Sequence, residues 1–434
     1  MSIQPSPDDR PAGLAYLVSR YPAVSHTFIL REVLGLRRLG LAVDVASVNP
    51  PDRTPERMTD DERAELARVY GLKPDGVAGA LHGCAWALAH RPLAFARTLA
   101  DAWGLGRGLG RVYALAYGVE AAMVARWMAG LGHRHLHVHF GTVGSTVGLL
   151  VRRLTGCGLS VTIHGPDEFD DVSAHHLVRK MVDADRIVCI SQFARSQLMR
   201  LSPPATWPKM AVCRLGVDVR HFAPDAPPPS VRDPQGPVRL LSVGRLAPAK
   251  GQLLMIEALG RLHREGVAFE MTVVGDGPDR ARLEEEAARQ RLGGRVRFTG
   301  SLNQAEVHAL LREADAFVLP SLAEGIPVVL MEAMASGVPC VTTPVNGIPE
   351  LVRHEVNGLL ATPGDVDALT AELRRMVADP ALRARLREAA LAQVAQSFHH
   401  ERNVAALAEI LRALPEVGRR GEAAAHPGAR PVSA

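Results

Sequence analysis

At 434 residues, 47% hydrophobic and 22% charged, the chain is too long for a single hydrophobic core and ordinary for a folded soluble protein, so two domains are expected. A formal net charge of +4, with acids and bases evenly mixed, argues against nucleic acid as the main partner. Five well-separated cysteines with no C-x-x-C pair argue against a disulfide framework or a cysteine zinc site and fit a reducing compartment, the cytoplasm.

The opening MSIQPSPDDR has acids and prolines where a signal peptide needs a basic start and an apolar run, so residues 1–12 are expected to be a disordered leader. Residues 14–19, 28–39 and 43–48 then read as strand, helix and strand, the beginning of a parallel α/β unit. A helical region follows in which Trp86, Trp103 and Trp127 mix with Arg91, Arg97, Arg107, Arg111 and Arg126. Such a surface could lie on an anionic membrane, or could equally be core aromatics backed by solvated arginines. The most apolar stretch, 113–132, is interrupted by Glu120 and Arg126 and does not read as a membrane span.

Strands resume at 135–140, 160–163, 186–190 and 210–214. His133, His135, His137 and His139 alternate and so share one strand face; zinc could use that pattern, but a buried strand explains it better. Asp183-Ala184-Asp185 has the spacing of a metal-binding D-x-D pair but precedes its strand instead of following one, so no metal is expected.

From Phe222, the run FAPDAPPPSVRDPQGP holds six prolines in sixteen residues and suits neither helix nor central strand. This separates a first domain, 13–221, from a second, 238–415, with 222–237 as linker. The second unit has strands at 238–243, 271–274, 296–298, 316–319 and 340–342, with helices at 252–264 and 280–290, then a helical run from 366 to 414 and a disordered tail, 416–434. Ala184-Asp185-Arg186-Ile187-Val188-Cys189-Ile190-Ser191 matches Ala314 to Ser321 at four of eight positions, each marking a helix end that enters a buried strand. The match fits two similar doubly wound domains with a ligand cleft beyond the carboxyl ends of their strands.

Strand 239–243 runs into Gly244-Arg245-Leu246, and a short loop reaches Lys250-Gly251 just before a helix. Two cations beside a helix N-terminus suit a diphosphate, although alone they would read as solvated surface charges. Farther on, Ser321-Leu322-Ala323-Glu324-Gly325-Ile326-Pro327 leads into a helical run from Val328 to Ala335, with Gly325 open to close ligand approach and Pro327 suited to a first helical turn. Glu324 and Glu332 would stand about 12 Å apart along a continuous helix, roughly the reach from a sugar across a diphosphate to a ribose. Carboxylates accept hydrogen bonds from sugar hydroxyls. The plainer readings are a helix N-terminal acid for Glu324 and a surface glutamate for Glu332, though the apolar run VVLMEAMA fits a surface poorly.

The stretch E-G-I-P-V-V-L-M-E, with G-R-L-A-P-A-K-G, V-V-G-D-G-P, F-T-G-S-L and N-G-I-P-E-L-V, resembles glycosyltransferase family four, in that family's order and spacing over most of residues 238–375. The resemblance implies an α/β protein of the GT-B fold, two doubly wound Rossmann-like domains facing across a cleft. It further implies retaining, metal-independent transfer with no cofactor beyond a nucleotide-sugar donor, a UDP- or GDP-sugar. Arg245 and Lys250 would hold the leaving diphosphate, Glu324 the donor sugar and Glu332 the ribose. Backbone at Gly325, Ile326 and Pro327 would meet the phosphate or sugar, while Gly244 and the loops carrying Gly275, Gly277, Ser301 and Leu302 would complete the donor site.

Val161-Thr162-Ile163-His164-Gly165-Pro166-Asp167 is similar to that family's strand-end histidine, which makes His164 the catalytic candidate of the first domain; its plainer reading is a histidine capping a strand. The opening Tyr16 to Ser19 and Ser25 to Glu32 resembles the branch that builds exopolysaccharides such as colanic acid, with His26 where that branch often has Glu. The implied acceptor is a saccharide or polyprenyl-linked saccharide at the inner face of a bacterial membrane. Alternatives are a small-molecule or lipid acceptor, or a nucleotide-sugar-binding protein without turnover. A dinucleotide oxidoreductase is disfavoured, since neither half has G-x-G-x-x-G after its first strand with an acid at the required distance.

Overall fold

The computed structural model describes residues 13–23, 26–106, 110–223 and 236–417. The leader, Ser25, Arg107 and most of the proline-rich linker and tail therefore lie outside the described residues. Seven parallel strands form one sheet: β1 (Leu14–Arg20), β2 (Val43–Asn49), β3 (Tyr70–Gly71), β4 (His135–His139), β5 (Gly158–Ile163), β6 (Arg186–Cys189) and β7 (Met210–Val212), ordered β3-β2-β1-β4-β5-β6-β7. A second parallel sheet contains β8 (Val238–Val243), β9 (Phe269–Val274), β10 (Val296–Gly300), β11 (Ala316–Leu319), β12 (Cys340–Thr342) and β13 (Leu359–Leu360), ordered β10-β9-β8-β11-β12-β13.

These strands read as nearly unbroken apolar runs because helices cover both faces. Along β1, Ala15 and Leu17 enter one core while Leu14, Tyr16 and Val18 enter the other, the period of two expected of a strand. The order reverses beside β1 and again beside β8, and a doubly wound sheet binds its ligand at that switch point, beyond the strands' carboxyl ends.

The internal match has a physical basis. Asp185 enters β6 and accepts the Leu159 N–H of β5 at 2.8 Å, and Asp315 enters β11 and accepts the Arg239 N–H of β8 at 2.8 Å. Each carboxylate satisfies a backbone donor at a sheet end.

Three expected boundaries are corrected. Phe222, placed at the start of the linker, ends the helix Val219–Phe222 and is buried in the second half's core. The last helix, His400–Arg412, was expected to pack with the second half, but its apolar face, Val404, Leu407 and Leu411, packs onto the first sheet with Leu14 and Tyr16. The tail begins later than residue 416, since Val417 is buried in that same core. The chain thus crosses between the halves twice, and the crossings are stitched together by Val217 N–H to Phe398 O (2.9 Å) and His400 N–H to Val217 O (3.0 Å).

Between β3 and β4 the first half carries a block of three helices, Leu72–His90, Pro92–Leu105 and Gly110–Leu131. Small residues bring the first against the third: a Cβ on Gly83 would lie 2.8 Å from the Met123 backbone nitrogen. Of the three tryptophans in this block, only Trp103 is strongly exposed; Trp127 stacks on Tyr70, and Trp86 on His90. Among the described residues, no helix is long and apolar enough to cross a membrane.

Candidate active site

The second half's wall of the cleft is a set of loops joined backbone to backbone. Gly244, after β8, donates to Val274 O at 3.0 Å, and Gly275, after β9, donates to Gly300 O at 2.9 Å. Side chains do not fit between them: a Cβ on Gly275 (φ +132°) would lie 1.9 Å from Gly244 O. A Cβ on Gly277 would lie 2.3 Å from Leu246 O, and one on Gly251 (φ +65°) 2.0 Å from Pro320 O. Leu322 N–H reaches Ala249 O at 2.8 Å, tying the loop that carries Lys250 to the loop that carries Glu324.

On that scaffold Lys250 Nζ donates to Glu324 Oε1 at 2.5 Å, and Ser321 Oγ donates to the same oxygen at 2.8 Å. Glu324 is buried, so its charge depends on these partners. Arg245 is exposed and has no ion pair among the described residues; its carbonyl accepts Gln252 Nε2 at 2.9 Å. The helices that follow, Gln252–Arg264 and Val328–Ala335, have no side-chain N-cap, in contrast to the helices capped by Asn303, Asp365 and Asp379. The N–H groups of their first two residues stay available to an anion, while those of Leu254 and Leu330 turn back to Gly251 O and Pro327 O. Ile326 and Pro327 are buried in front of the second helix, whereas Ser301 is exposed in the turn after β10 and Leu302 packs into the core beneath it.

The helical spacing expected from Glu324 to Glu332 is corrected, because the helix starts only at Val328 and Glu324 lies in the turn before it. Glu332 meets a partner from the other half: Arg31 Nη2, on the helix Thr27–Arg38, lies 3.3 Å from its Oε1. Gln304 Nε2 also approaches Oε1, at 3.5 Å, so both contacts use one oxygen. Burial pushes the Glu332 carboxyl above its ordinary range, and Arg31 counters this.

The opposite wall is built from side chains. His164 follows β5, is buried, and its carbonyl faces the second half closely enough that a Cβ on Gly325 would lie 2.4 Å from it. Its Nε2 lies 3.0 Å from His139 Nδ1; His139 Nε2 lies 3.0 Å from Glu32 Oε1, which also accepts the Tyr16 hydroxyl at 2.7 Å. Burial, and then the neighbouring His139 and His26, hold the His164 imidazole well below its ordinary pKa.

Four participants besides His164 had not been assigned from sequence. Glu168 Oε1 accepts the backbone N–H of His164 (3.0 Å) and of Gly141 (3.2 Å), fixing both strand-end loops. Buried Lys180 donates to Gly141 O (2.9 Å) and Thr142 O (2.6 Å), and burial lowers it to about 7. Glu350, in the N-G-I-P-E-L-V motif, crosses the cleft to Phe193 N (2.9 Å) and Arg214 Nη2 (2.9 Å). Glu32 lay inside the opening motif but had no role there. The adjoining G-P-D-E run offered a signal for Glu168; nothing local marks Lys180.

Of the four alternating histidines, His135, His137 and His139 share the buried strand β4, whereas His133 precedes it, half-buried and paired with Asp44 at 2.8 Å. Glu32, His137 and His139 have metal-ligand chemistry, with atoms within 4.8 Å of one another. Hydrogen bonding accounts for both rings: Ser160 and Thr162 lie at the two His137 nitrogens (2.7 and 2.9 Å), and His164 and Glu32 at those of His139. In the same half, a pocket of about 470 Å³ opens between Tyr113 and Tyr117 of the helical block, Val143 after β4 and the loop from Asp171 to His176.

Comparison with known proteins agrees with this geometry. The family described as "Glycosyl transferases group 1" matches residues 228–393. The amylovoran biosynthesis glycosyltransferase AmsK of Erwinia amylovora is 32% identical over 423 residues, spanning 92% of this chain and 99% of the relative. The putative colanic acid biosynthesis glycosyltransferase WcaL of Escherichia coli is 30% identical over 376 residues, 83% of this chain and 89% of the relative. Among solved structures, Anabaena HepE in complex with UDP-glucose superposes with a TM-score of 0.69 at 19% identity, covering 92% of this chain and all of that one, a likeness of fold.

Proposed function

The chain belongs to the group 1 glycosyl transferases, and from that premise we propose that it transfers a sugar, with retention of configuration and without a metal, from a UDP- or GDP-sugar to a saccharide or polyprenyl-linked acceptor in exopolysaccharide assembly. The observation that carries the reading is the Lys250–Glu324–Ser321 cluster between two uncapped helix N-termini, directly across from His164. A leaving diphosphate there would meet Lys250, Arg245 and free N–H groups, and cationic stabilisation of that leaving group is the main electrostatic contribution to transfer. Glu324 would take sugar hydroxyls, and Glu332 would offer a ribose the oxygen that Arg31 and Gln304 leave free. The departing phosphate would accept the proton of the attacking hydroxyl, so no metal is assigned to that step.

The acceptor role rests on the names of the two relatives, and the pocket between the helical block and the loop from Asp171 to His176 is its candidate seat. We place the enzyme in the cytoplasm at the inner membrane surface. Supporting this are exposed apolar side chains of the helical block, Val77, Leu81, Leu88, Leu93 and Trp103, with exposed Arg91, Arg97 and Arg111 in the same block, Arg111 over the Trp103 ring.

A thermal-shift panel of UDP-, GDP- and ADP-sugars would identify the donor, since a ligand that binds only the folded state raises its melting temperature. With that donor, Lys250→Ala and Glu324→Ala should each lower turnover by more than roughly tenfold, about 1.4 kcal/mol of transition-state stabilisation. Near wild-type rates in both folded variants would overturn the donor-site assignment.

A further inference from the structure

The chain Tyr16–Glu32–His139–His164 joins β1, the first helix, β4 and the end of β5 in one buried line. Its protons can be counted. An ionised carboxylate only accepts, so Glu32 Oε1 takes the Tyr16 O–H and requires the proton of His139 on Nε2. With that single proton on its ring, His139 has a bare Nδ1, which can only accept from His164 Nε2–H at 3.0 Å, whereas a second proton on Nδ1 would reverse the direction of that bond. That leaves His164 Nδ1, the nitrogen turned away from His139, with a free lone pair. The reverse order would set the bare Nε2 of His139 against the Glu32 carboxylate.

The rings are also held in place: Phe140 lies 4.3 Å and Phe28 5.1 Å from the His164 ring, centre to centre. The low pKa of the buried His164 agrees with a neutral ring in which only one nitrogen carries a proton.

We propose that Glu32 and His139 are positioning residues that lock His164 into its Nε2–H tautomer, so that it meets the donor sugar as a hydrogen-bond acceptor at Nδ1. Resting on the donor-site reading above, this deepens it: the sugar must present a hydroxyl that donates to His164, and an analogue with fluorine or a keto oxygen there would be rejected. Glu32 therefore acts on specificity through His139 without touching substrate.

The test is long-range proton–nitrogen NMR of the whole chain labelled with 15N-histidine, with the His164 signals assigned by their loss in His164→Gln. In the wild type, His164 should show a protonated Nε2 and a bare Nδ1. Glu32→Gln keeps an oxygen that can accept from both Tyr16 and His139, and should preserve the pattern; Glu32→Met and His139→Phe remove the constraint and should give mixed tautomers. A wild-type His164 protonated at Nδ1 would overturn the proposal, as would an unchanged tautomer in both folded disruptive variants. The wild-type spectrum decides even if those variants fail to fold. Because no sugar is present in the experiment, its failure is distinct from failure of the donor-site reading.

Discussion

The two walls of the cleft are made by different physics. The second half's wall is backbone on backbone: Gly251, Gly275 and Gly277 let neighbouring loops approach closely enough to hydrogen-bond one another. The first half's wall is side chain on side chain, a buried set of titratable groups that includes Glu32, His139, His164, Glu168 and Lys180. A wall of backbone contacts should fail when a methyl group is added, and a wall of buried ionisable groups should respond to pH.

Gly275→Ala gives the largest expected effect. Its Cβ would overlap the Gly244 carbonyl at 1.9 Å, and φ of +132° is hostile to any side chain, so the loops after β8 and β9 must part. A loss of roughly 4 kcal/mol is expected, about 10 °C in melting temperature for a domain of this size. Gly244→Ala is the matched control, because nothing lies within 4 Å of a Cβ there; it should stay within about 0.5 kcal/mol. Similar melting curves for the two variants would remove the idea of a glycine-built wall.

Lys180 tests the other wall. Burial lowers its folded-state pKa from 10.5 to about 7, with Glu168 pulling the opposite way. The unfolded chain therefore holds that proton between about pH 7 and 10.5 while the folded chain does not, and stability rises with pH across this window. Below pH 7 both states are charged and the full cost of burying the ammonium is present. Lys180→Met removes this dependence, so its stability relative to wild type should be most favourable near pH 6 and should fall by about 3 kcal/mol by pH 9.5. Parallel denaturation curves at the two pH values would show that Lys180 keeps an ordinary pKa.

The same contrast explains what could be read from sequence. β8, β11 and β12 have the expected boundaries, and Lys250 and Glu324 do meet, because a glycine-rich loop between a buried strand and a helix is written in adjacent letters. The opposing wall joins residues 16, 25 and 107 positions apart, so their pairing appears only once β1, β4 and β5 lie side by side. His135, His137 and His139 were legible as a buried strand face, but their partners were not. The last helix was misassigned for a related reason: its amphipathic pattern requires an apolar partner without naming which sheet supplies it.

The smallest expected effect concerns the surface of the first half. Val77, Leu81 and Leu88 lie on the outward side of the helix Leu72–His90, whose inward residues include Gly79, Gly83 and Ala87. A face with glycine and alanine packed inward and leucine outward inverts the usual arrangement of a surface helix, and the exposed arginines of the same block favour an anionic bilayer as the covering phase. Flotation with vesicles of phosphatidylglycerol and phosphatidylethanolamine should carry the wild type upward. Neutralising Arg91, Arg97 and Arg111 together should weaken binding by about 1 kcal/mol per charge at low salt, and Leu81→Ser with Leu88→Ser should weaken it further without lowering the melting temperature. Equal flotation of wild type and both variants would separate these exposed side chains from the membrane and leave a protein partner as their cover.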